Sequence, residues 1–481
     1  MSHSQDAAAE AEPARAAFSE LFREGRAVYT VLVLLGVGMH ALQTLVIAIV
    51  MPTVVADIGG ADFYAWPAML YTIGAITGTA ALGPVWNVLG PRRGYAVSGL
   101  VFMAATIGCA LAPSIGALNV ARLLQGFSGG LIIGGGMALV SGHFTEPQRK
   151  RVLALHQGAW MICQLMGPVV GGAFAAVGWW RGSFWVLAPV ILILVVLAWF
   201  KTTDGETGAA PPARSNRFPL LRLMLLSGGV FAVALAGPVF GGVSRVVMIV
   251  AAVVLVWACL RLDRHAANRL YPSGALSLFS PVGLGLWVLL LGGMAQTTLN
   301  VFMPLLLQVV HGVSPLFVSF IAITVSAGWT IATFAVSGFS GRREDAALRA
   351  GPLLMLVGLG GIAYFAQTPH LGILTLAALI LGLGVGAHNV LLVTRVMANG
   401  RKGEERVTSA SIPSMRSLGT AFGAATGGML ASVAGLGDAT KPEAVGPAVN
   451  FVFTFNLIPL ACAALFMFAL LRLAQRAGPR D

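Results

Sequence analysis

Few residues in this chain are equipped for chemistry, and nearly all of them lie inside long apolar stretches. Arg122 sits in Val120-Ala121-Arg122-Leu123-Leu124, followed one turn on by Gln125. His40 lies in a second apolar run, with Gln43 one turn further along on the same helical face. Trp160 and Gln164 are a turn apart in a third run, and Gln296, Thr297 and Asn300 form a polar stripe in a fourth. His388 and Asn389 occupy a further run at matching depth, and Arg416 another. No nucleophile–base pair and no metal-ligand spacing occurs. Cys109, Cys163, Cys259 and Cys462 all fall in apolar runs and read as small buried hydrophobes. A Gly-x-x-x-x-Gly-Lys-Ser/Thr loop is also missing, so neither enzyme chemistry nor ATP hydrolysis is expected, and no cofactor is called for. What such a set can do is bind a polar or anionic group, or relay a proton. Ionisable residues within membrane segments are functional candidates by default, and histidine changes charge near pH 6.5. The plainer alternatives are an arginine satisfied by helix carbonyls and histidines that are merely packed.

The elements that hold these residues follow from composition. Of 481 residues 57% are hydrophobic and 10% charged, against about 25% charged in soluble domains. A bilayer core takes about 20 apolar residues as helix. Spans are expected near 28–51, 64–86, 94–112, 115–142, 151–177 and 183–200, then 219–240 and 243–261, then 283–308, 315–338, 351–367, 371–394, 405–433 and 449–473. The net charge of +12 collects after every even-numbered span: Arg92 and Arg93, Arg149 to Arg151, Lys201 with Arg214 and Arg217, Arg261 to Arg269, Arg342 and Arg343, Arg401 and Lys402, Arg472 and Arg476. Cations in short segments between apolar runs suit a membrane rather than nucleic acid. By the positive-inside rule both termini are expected in the cytoplasm, in a plasma (inner) membrane protein. Trp179, Trp180 and Trp185 read as interfacial anchors.

The expected organisation is an all-α membrane protein. It comprises a cytoplasmic tail (1–27, acidic and without a signal-peptide core, with a short amphipathic helix around Ala16 to Phe22), a six-helix bundle (28–201), a linker (202–218) and two extra helices (219–262). A cytoplasmic loop (263–282), a second six-helix bundle (283–474) and a short tail (475–481) follow. An internal repeat joins the bundles. Gly167-Pro168-Val-Val-Gly171-Gly172 is echoed by Gly423-Ala-Ala-Thr-Gly427-Gly428, and Gly90-Pro91-Arg92-Arg93 by Gly341-Arg342-Arg343. Repeated six-helix halves with a site between them at mid-membrane are a transporter architecture. Gly126, Gly130 and Gly134 line one helix face and permit close packing, while Pro168 removes a backbone donor in mid-helix.

At these residues the chain resembles the major facilitator superfamily, in particular its fourteen-spanner drug–proton antiporter branch. The family's Gly-x-x-x-Asp-Arg-x-Gly-Arg-Arg loop is matched by Gly83, Gly90 and Arg92, with Asn87 in place of the acid and Val88 in place of the base. Arg122-Leu-Leu-Gln125-Gly126 is similar to Arg-x-x-Gln-Gly. Gly167-Pro168 with Gly171-Gly172 resembles the antiporter signature, although Cys163 replaces an earlier glycine. Met303-Pro304 through Gln308 to Ser314-Pro315, and Arg416-Ser-Leu-Gly419, also resemble this branch. The branch carries an acid nine residues before a span-one proline. Here that proline is Pro52 and the acid's place holds Gln43. No Asp or Glu lies at mid-depth in any span. Asp57 lies at an outer end and Glu146 in a loop, which removes the usual acidic partner for protons and cations.

The resemblance implies a secondary carrier working by alternating access, a monomer whose partners are a small molecule, the bilayer and, in one scheme, protons. Export of a small hydrophobic or weakly anionic compound is expected from the antiporter signature. Uptake, uniport, or a non-transporting receptor of the same fold are the alternatives. If protons are coupled, His40 is the carrier, with His388 as a second station. If the substrate is an anion, it pairs with Arg122 and the membrane potential drives it outward; Arg416 is the candidate cavity cation of the second half.

Overall fold

The computed structural model describes residues 21–22, 25–202, 219–237, 239, 241–266, 269–401, 404–437 and 439–476. The expected amphipathic helix near Ala16, nearly all of the linker, and Arg214, Arg217 and Lys402 lie outside them. All regular structure among the described residues is helical. The α-helices are α1 (Arg26–Ile58), α2 (Trp66–Ala110), α3 (Ile115–His143), α4 (Glu146–Ala176), α5 (Gly182–Trp185), α6 (Ala188–Lys201), α7 (Leu220–Leu235) and α8 (Gly242–Arg264). They continue with α9 (Pro281–Leu305), α10 (Pro315–Val336), α11 (Gly341–Phe365), α12 (Leu371–Ala398), α13 (Glu405–Val433) and α14 (Pro442–Arg476).

Eleven stretches are long and apolar enough to cross a membrane, fewer than the fourteen expected, and the difference arises at three places. Ala61–Ala110 counts as one stretch of 50 residues, twice what a crossing needs, and breaks at Gly90. There φ 76 and ψ 164 leave the helical region at a conformation that only glycine adopts without strain. Helix α7 has only 16 residues. The third is α13, whose polar Ser411, Ser414, Arg416, Ser417 and Thr420 dilute its apolar character.

Within each half the helices meet through glycine. A Cβ on Gly126 would lie 2.0 Å from the Tyr71 carbonyl oxygen, so α3 and α2 touch backbone to backbone, with Gly74, Gly78 and Gly130 extending the seam. The second half repeats this between α12 and α10: a Cβ on Gly382 would lie 2.1 Å from the Val325 oxygen, and Gly328 and Gly386 extend it. One constant sequence offset relates Gly126 and Gly130 to Gly382 and Gly386, and Gly167, Gly171 and Gly172 to Gly423, Gly427 and Gly428. The echoes in sequence therefore correspond to repeated packing. Gly171 lies on α1 at Val46, and Gly427 lies on α9 at Phe302.

Between the halves, contact gathers at the end away from the basic loops. Gly172 abuts α10, where a Cβ would lie 2.1 Å from Ser319 Oγ and 2.7 Å from the Pro315 oxygen. Ser319 Oγ donates to the Pro168 carbonyl at 2.5 Å, and Gln308 Nε2 donates to the Ile49 carbonyl at 3.0 Å. Tyr64 stacks on Phe302, and Gly428 lies against Ala65. At this end Asp57 pairs with Arg181 and accepts from Trp180 Nε1 at 3.0 Å. Trp180 is 1% exposed and so is not the interfacial anchor expected of it; its indole is committed to that acid. Trp179 and Trp185 are exposed.

Helices α7 and α8 pack on each other, and α7 packs on α13. The buried Arg222–Asp263 pair ties them together, and Asp263 also accepts the backbone N–H groups of Leu270 and Tyr271 at 2.8 and 3.0 Å. At the basic end, Arg92 Nε donates to the Trp199 carbonyl at 2.7 Å, anchoring the α2 break to α6. Asn87 is exposed beside that break.

Candidate functional site

A cavity of about 650 Å³ lies between the halves, within the 300–1,000 Å³ typical of small-molecule sites. Helices α1, α2, α3, α4, α9, α10, α12 and α13 line it, α3 through Arg122, and none of its described lining residues comes from α7 or α8. Gln157 and Phe334, at the basic end of the wall, are exposed, so the cavity opens there. Toward the sealed end it narrows to a chamber of about 50 Å³ walled by Leu45, Ile49, Pro168, Leu299 and Met303. Gln164, Gln296 and Asn300 face both spaces, so three neutral amides mark the junction.

Most of the residues expected from sequence are brought together here. Trp160 and Gln164 project from α4, Gln296 and Asn300 from α9, Asn389 from α12 and Arg416 from α13. Arg416 Nη2 donates to Asn389 Oδ1 at 2.5 Å. Arg416 is only partly buried, so its guanidinium has donors to offer the cavity. The offset that relates the halves pairs Arg416 with Trp160, a cation on one side against an aromatic on the other. No Asp or Glu lines the cavity among the described residues.

Four expected members of the pathway offer the cavity no free side chain. Arg122 forms part of the cavity wall but is 0% exposed, its guanidinium taken up by other partners. It donates through Nε to the Pro67 carbonyl (3.2 Å), through Nη1 to Gln43 Oε1 (3.3 Å) and Gln125 Oε1 (2.6 Å), and through Nη2 to the Gln43 carbonyl (3.2 Å). The Tyr71 ring covers it at 4.1 Å. With four of five donors committed, Arg122 clamps α1, α2 and α3 together at the cavity wall. Gln43 is part of this clamp and buried. Gln125 is buried too, its Nε2 donating to Thr106 Oγ1 at 2.8 Å. His388 turns away from the cavity because adjacent helical residues point about 100° apart. Asn389 takes the cavity face, and His388 packs into the space left by Gly351 with Nδ1 2.7 Å from the Gly384 carbonyl.

His40 is half-buried beside the cavity, with Nδ1 2.8 Å from Tyr71 Oη and its ring 6.0 Å from that of Trp160. Sequence reasoning did not single out Tyr71, which touches His40, covers Arg122 and lines the cavity. Its spacing carries no motif. Trp329 and Thr420 were missed for the same reason.

The clamp carries a prediction. Arg122→Leu should still insert, since the change favours lipid, but it leaves Gln43 Oε1 without a donor and takes charged hydrogen bonds from Gln125 Oε1 and the Pro67 and Gln43 carbonyls. A buried acceptor left unpaired costs about 1–3 kcal/mol. Thermal unfolding of the purified protein should therefore shift down by several degrees, together with a large loss of transport. An unchanged unfolding temperature would mean that the clamp holds nothing.

Two helical bundles around a central cavity, sealed at one end and open at the other, define a solute carrier rather than an enzyme. A family model described as Major Facilitator Superfamily matches residues 33–424, and the chain belongs to that superfamily. It is 30% identical over 418 residues to a probable multidrug-efflux transporter of Mycobacterium tuberculosis, covering 84% of this chain and 87% of that protein. It is 27% identical over 408 residues to the tetracenomycin C resistance and export protein of Streptomyces glaucescens, covering 83% and 74%. Among solved structures, an inward-facing, unoccupied bacterial homologue of the human lysosomal transporter Spinster aligns with TM-score 0.65 at 14% identity, over 94% of this chain and 98% of that one. A D-xylose–proton symporter aligns with TM-score 0.63 at 15% identity, over 92% and 98%. These two likenesses bear on the fold alone.

Proposed function

We propose that this transporter is a secondary active exporter of small hydrophobic or weakly anionic compounds, working by alternating access as a monomer in the plasma membrane. The observation that carries this is the cavity between the halves, whose lining includes the partly buried cation Arg416 and no acid among the described residues. The names of the two relatives, both exporters, support the outward direction. In this reading the protein crosses the membrane fourteen times, as in the drug–proton antiporter branch. The break at Gly90 separates two crossings, and α7 and α13 each make one. Two six-helix bundles then flank the cavity, with α7 and α8 outside them. Both termini are cytoplasmic because the basic loops share one face, so the open end of the cavity faces the cytoplasm.

Coupling is assigned to His40. It is the titratable side chain at the cavity's edge in the helix where Gln43 has replaced the branch's acid, and Tyr71 holds its Nδ1. The test is uptake and counterflow of candidate solutes in proteoliposomes, with a pH gradient and a membrane potential imposed separately. A pH gradient should drive accumulation in wild type. His40→Gln should abolish that drive and leave solute exchange intact. If collapsing the pH gradient changes little and the membrane potential governs the rate, the substrate's own charge is the coupled species and His40 is not. If no solute exchanges at all, the transport reading itself fails.

A further inference from the structure

A second cavity, of about 480 Å³, shares no lining residue with the transport cavity and lies at the basic end of α8. The last turn of α8 and the loop to α9 form its wall, including Leu260, Arg264, Arg269, Tyr271 and Ser273. The loop is held open by fixed contacts. The Asp263 carboxylate is taken up by Arg222 and by the Leu270 and Tyr271 N–H groups. Tyr271 Oη lies 3.3 Å from Ser414 Oγ on α13. Glu404 is taken up by Ser273 at 2.7 Å and by Arg269 at 3.5 Å, and Arg401 Nη1 donates to Ser273 Oγ at 2.9 Å.

Both acids described at this site, Asp263 and Glu404, thus have partners, while cations remain in excess among the described side chains. Arg264 is exposed and forms no ion pair among the described residues. Arg269 shares the Glu404 carboxylate with Ser273, at 3.5 Å. The site is therefore set for an anion. Its surroundings say which kind. Helix α8 turns an almost continuous apolar face outward: Val246, Val250, Val253, Val254 and Trp257 are 53–64% exposed. At the end of that face Arg261 lies over the Trp257 ring at 5.3 Å, an aromatic–cation pairing suited to headgroup depth. An occupant whose charge sits in the cavity thus has an apolar strip running from it into the hydrocarbon.

We infer that this cavity binds the phosphate headgroup of an acidic phospholipid from the leaflet on the basic side, with its acyl chains lying along α8. Basic pockets at helix ends on the cytoplasmic side suit such headgroups, at about 1 kcal/mol per cation near the surface. The inference gives the α7–α8 pair a task that the cavity between the bundles does not need from it.

The test is native mass spectrometry of the full-length purified protein titrated with phosphatidylglycerol or phosphatidylcholine. Wild type should retain phosphatidylglycerol preferentially. Arg264→Gln/Arg269→Gln should weaken that retention about 25-fold, as loss of two cations predicts. Arg342→Gln/Arg343→Gln, an equal charge loss elsewhere on the basic face, should leave it unchanged. Arg264→Lys/Arg269→Lys should keep most of it; loss in the lysine pair as well would assign the effect to folding and overturn the inference. Equal retention of both lipids by wild type, or unchanged retention in the glutamine pair, would also overturn it. So would displacement of the lipid by inorganic phosphate at equal concentration, which would make this a free-phosphate site.

Discussion

Gly172→Val is expected to arrest the transporter with its sealed end unable to close. A Cβ at this position would lie 2.1 Å from Ser319 Oγ and 2.7 Å from the Pro315 carbonyl oxygen. The hydroxyl can rotate aside, but the carbonyl belongs to the first turn of α10 and cannot. Relief requires α4 and α10 to separate, which also breaks the Ser319–Pro168 hydrogen bond. Overpacking costs roughly 1–3 kcal/mol, which moves a two-state equilibrium about 5- to 150-fold. The protein should insert and fold, because the strain falls on a joint that must open during turnover in any case. Two measurements check it: transport in proteoliposomes, which should fall at least about tenfold, and thiol labelling of Gln308→Cys in a cysteine-free background, which should rise. Normal transport with unchanged labelling would show that this contact does not govern closure.

Arg416→Leu should separate substrates by charge. Hydrogen bonds to charged groups contribute about 1.5–3 kcal/mol, so a monoanionic substrate should lose roughly 10- to 150-fold in apparent affinity. A neutral isostere, with the carboxylate replaced by carboxamide, should lose little, and transport of cations should improve. The comparison is made within one variant, so a general defect in folding would lower both members of the pair and be recognised. Equal losses for the acid and the amide would remove Arg416 from recognition. Asn389→Leu should show a smaller version of the same pattern, because Asn389 positions the guanidinium through one bond. Quaternary cations carried well by wild type would contradict a cavity lined by Arg416 and neutral amides.

Much of the fold could be read from the sequence because membrane helices announce themselves by length and apolarity. The limits of that signal appear where a helix serves two purposes. Helix α13 carries Arg416 and Thr420 for the cavity and, with its serines, drops below the composition of a spanning segment. Span boundaries at 86–94 could be drawn only because Gly90-Pro91-Arg92-Arg93 reads as a turn; the polypeptide continues helical on both sides of it. The site was legible residue by residue but not by direction. Depth along a helix can be counted, which is why Gln164, Gln296, Asn300, Asn389 and Arg416 fall together. Which way a side chain points depends on neighbours that sequence does not name. Arg122 and His388 are as deep as expected, yet one is enclosed by Gln43, Gln125 and Tyr71 and the other seats against Gly351. Tyr71 was invisible for the converse reason: a lone tyrosine in an apolar run gains its importance only from what folds against it.

The glycine seams have a mechanical consequence. Inside each half, α2 on α3 and α10 on α12 meet main chain to main chain at the seam glycines Gly74, Gly78, Gly126, Gly130, Gly328, Gly382 and Gly386. Such a joint has almost no compliance: it either holds its register or comes apart. The junction between halves is made differently, from interleaved side chains: a buried apolar cluster drawn from both halves, a ring pair, two side-chain hydrogen bonds and a few close glycine contacts gathered at one end. Stiffness is therefore distributed unevenly, high within the halves and low across their junction. Thermal energy will be stored in relative rotation of the halves long before it bends either of them. The molecule has one soft coordinate, and that coordinate runs through the solute's path.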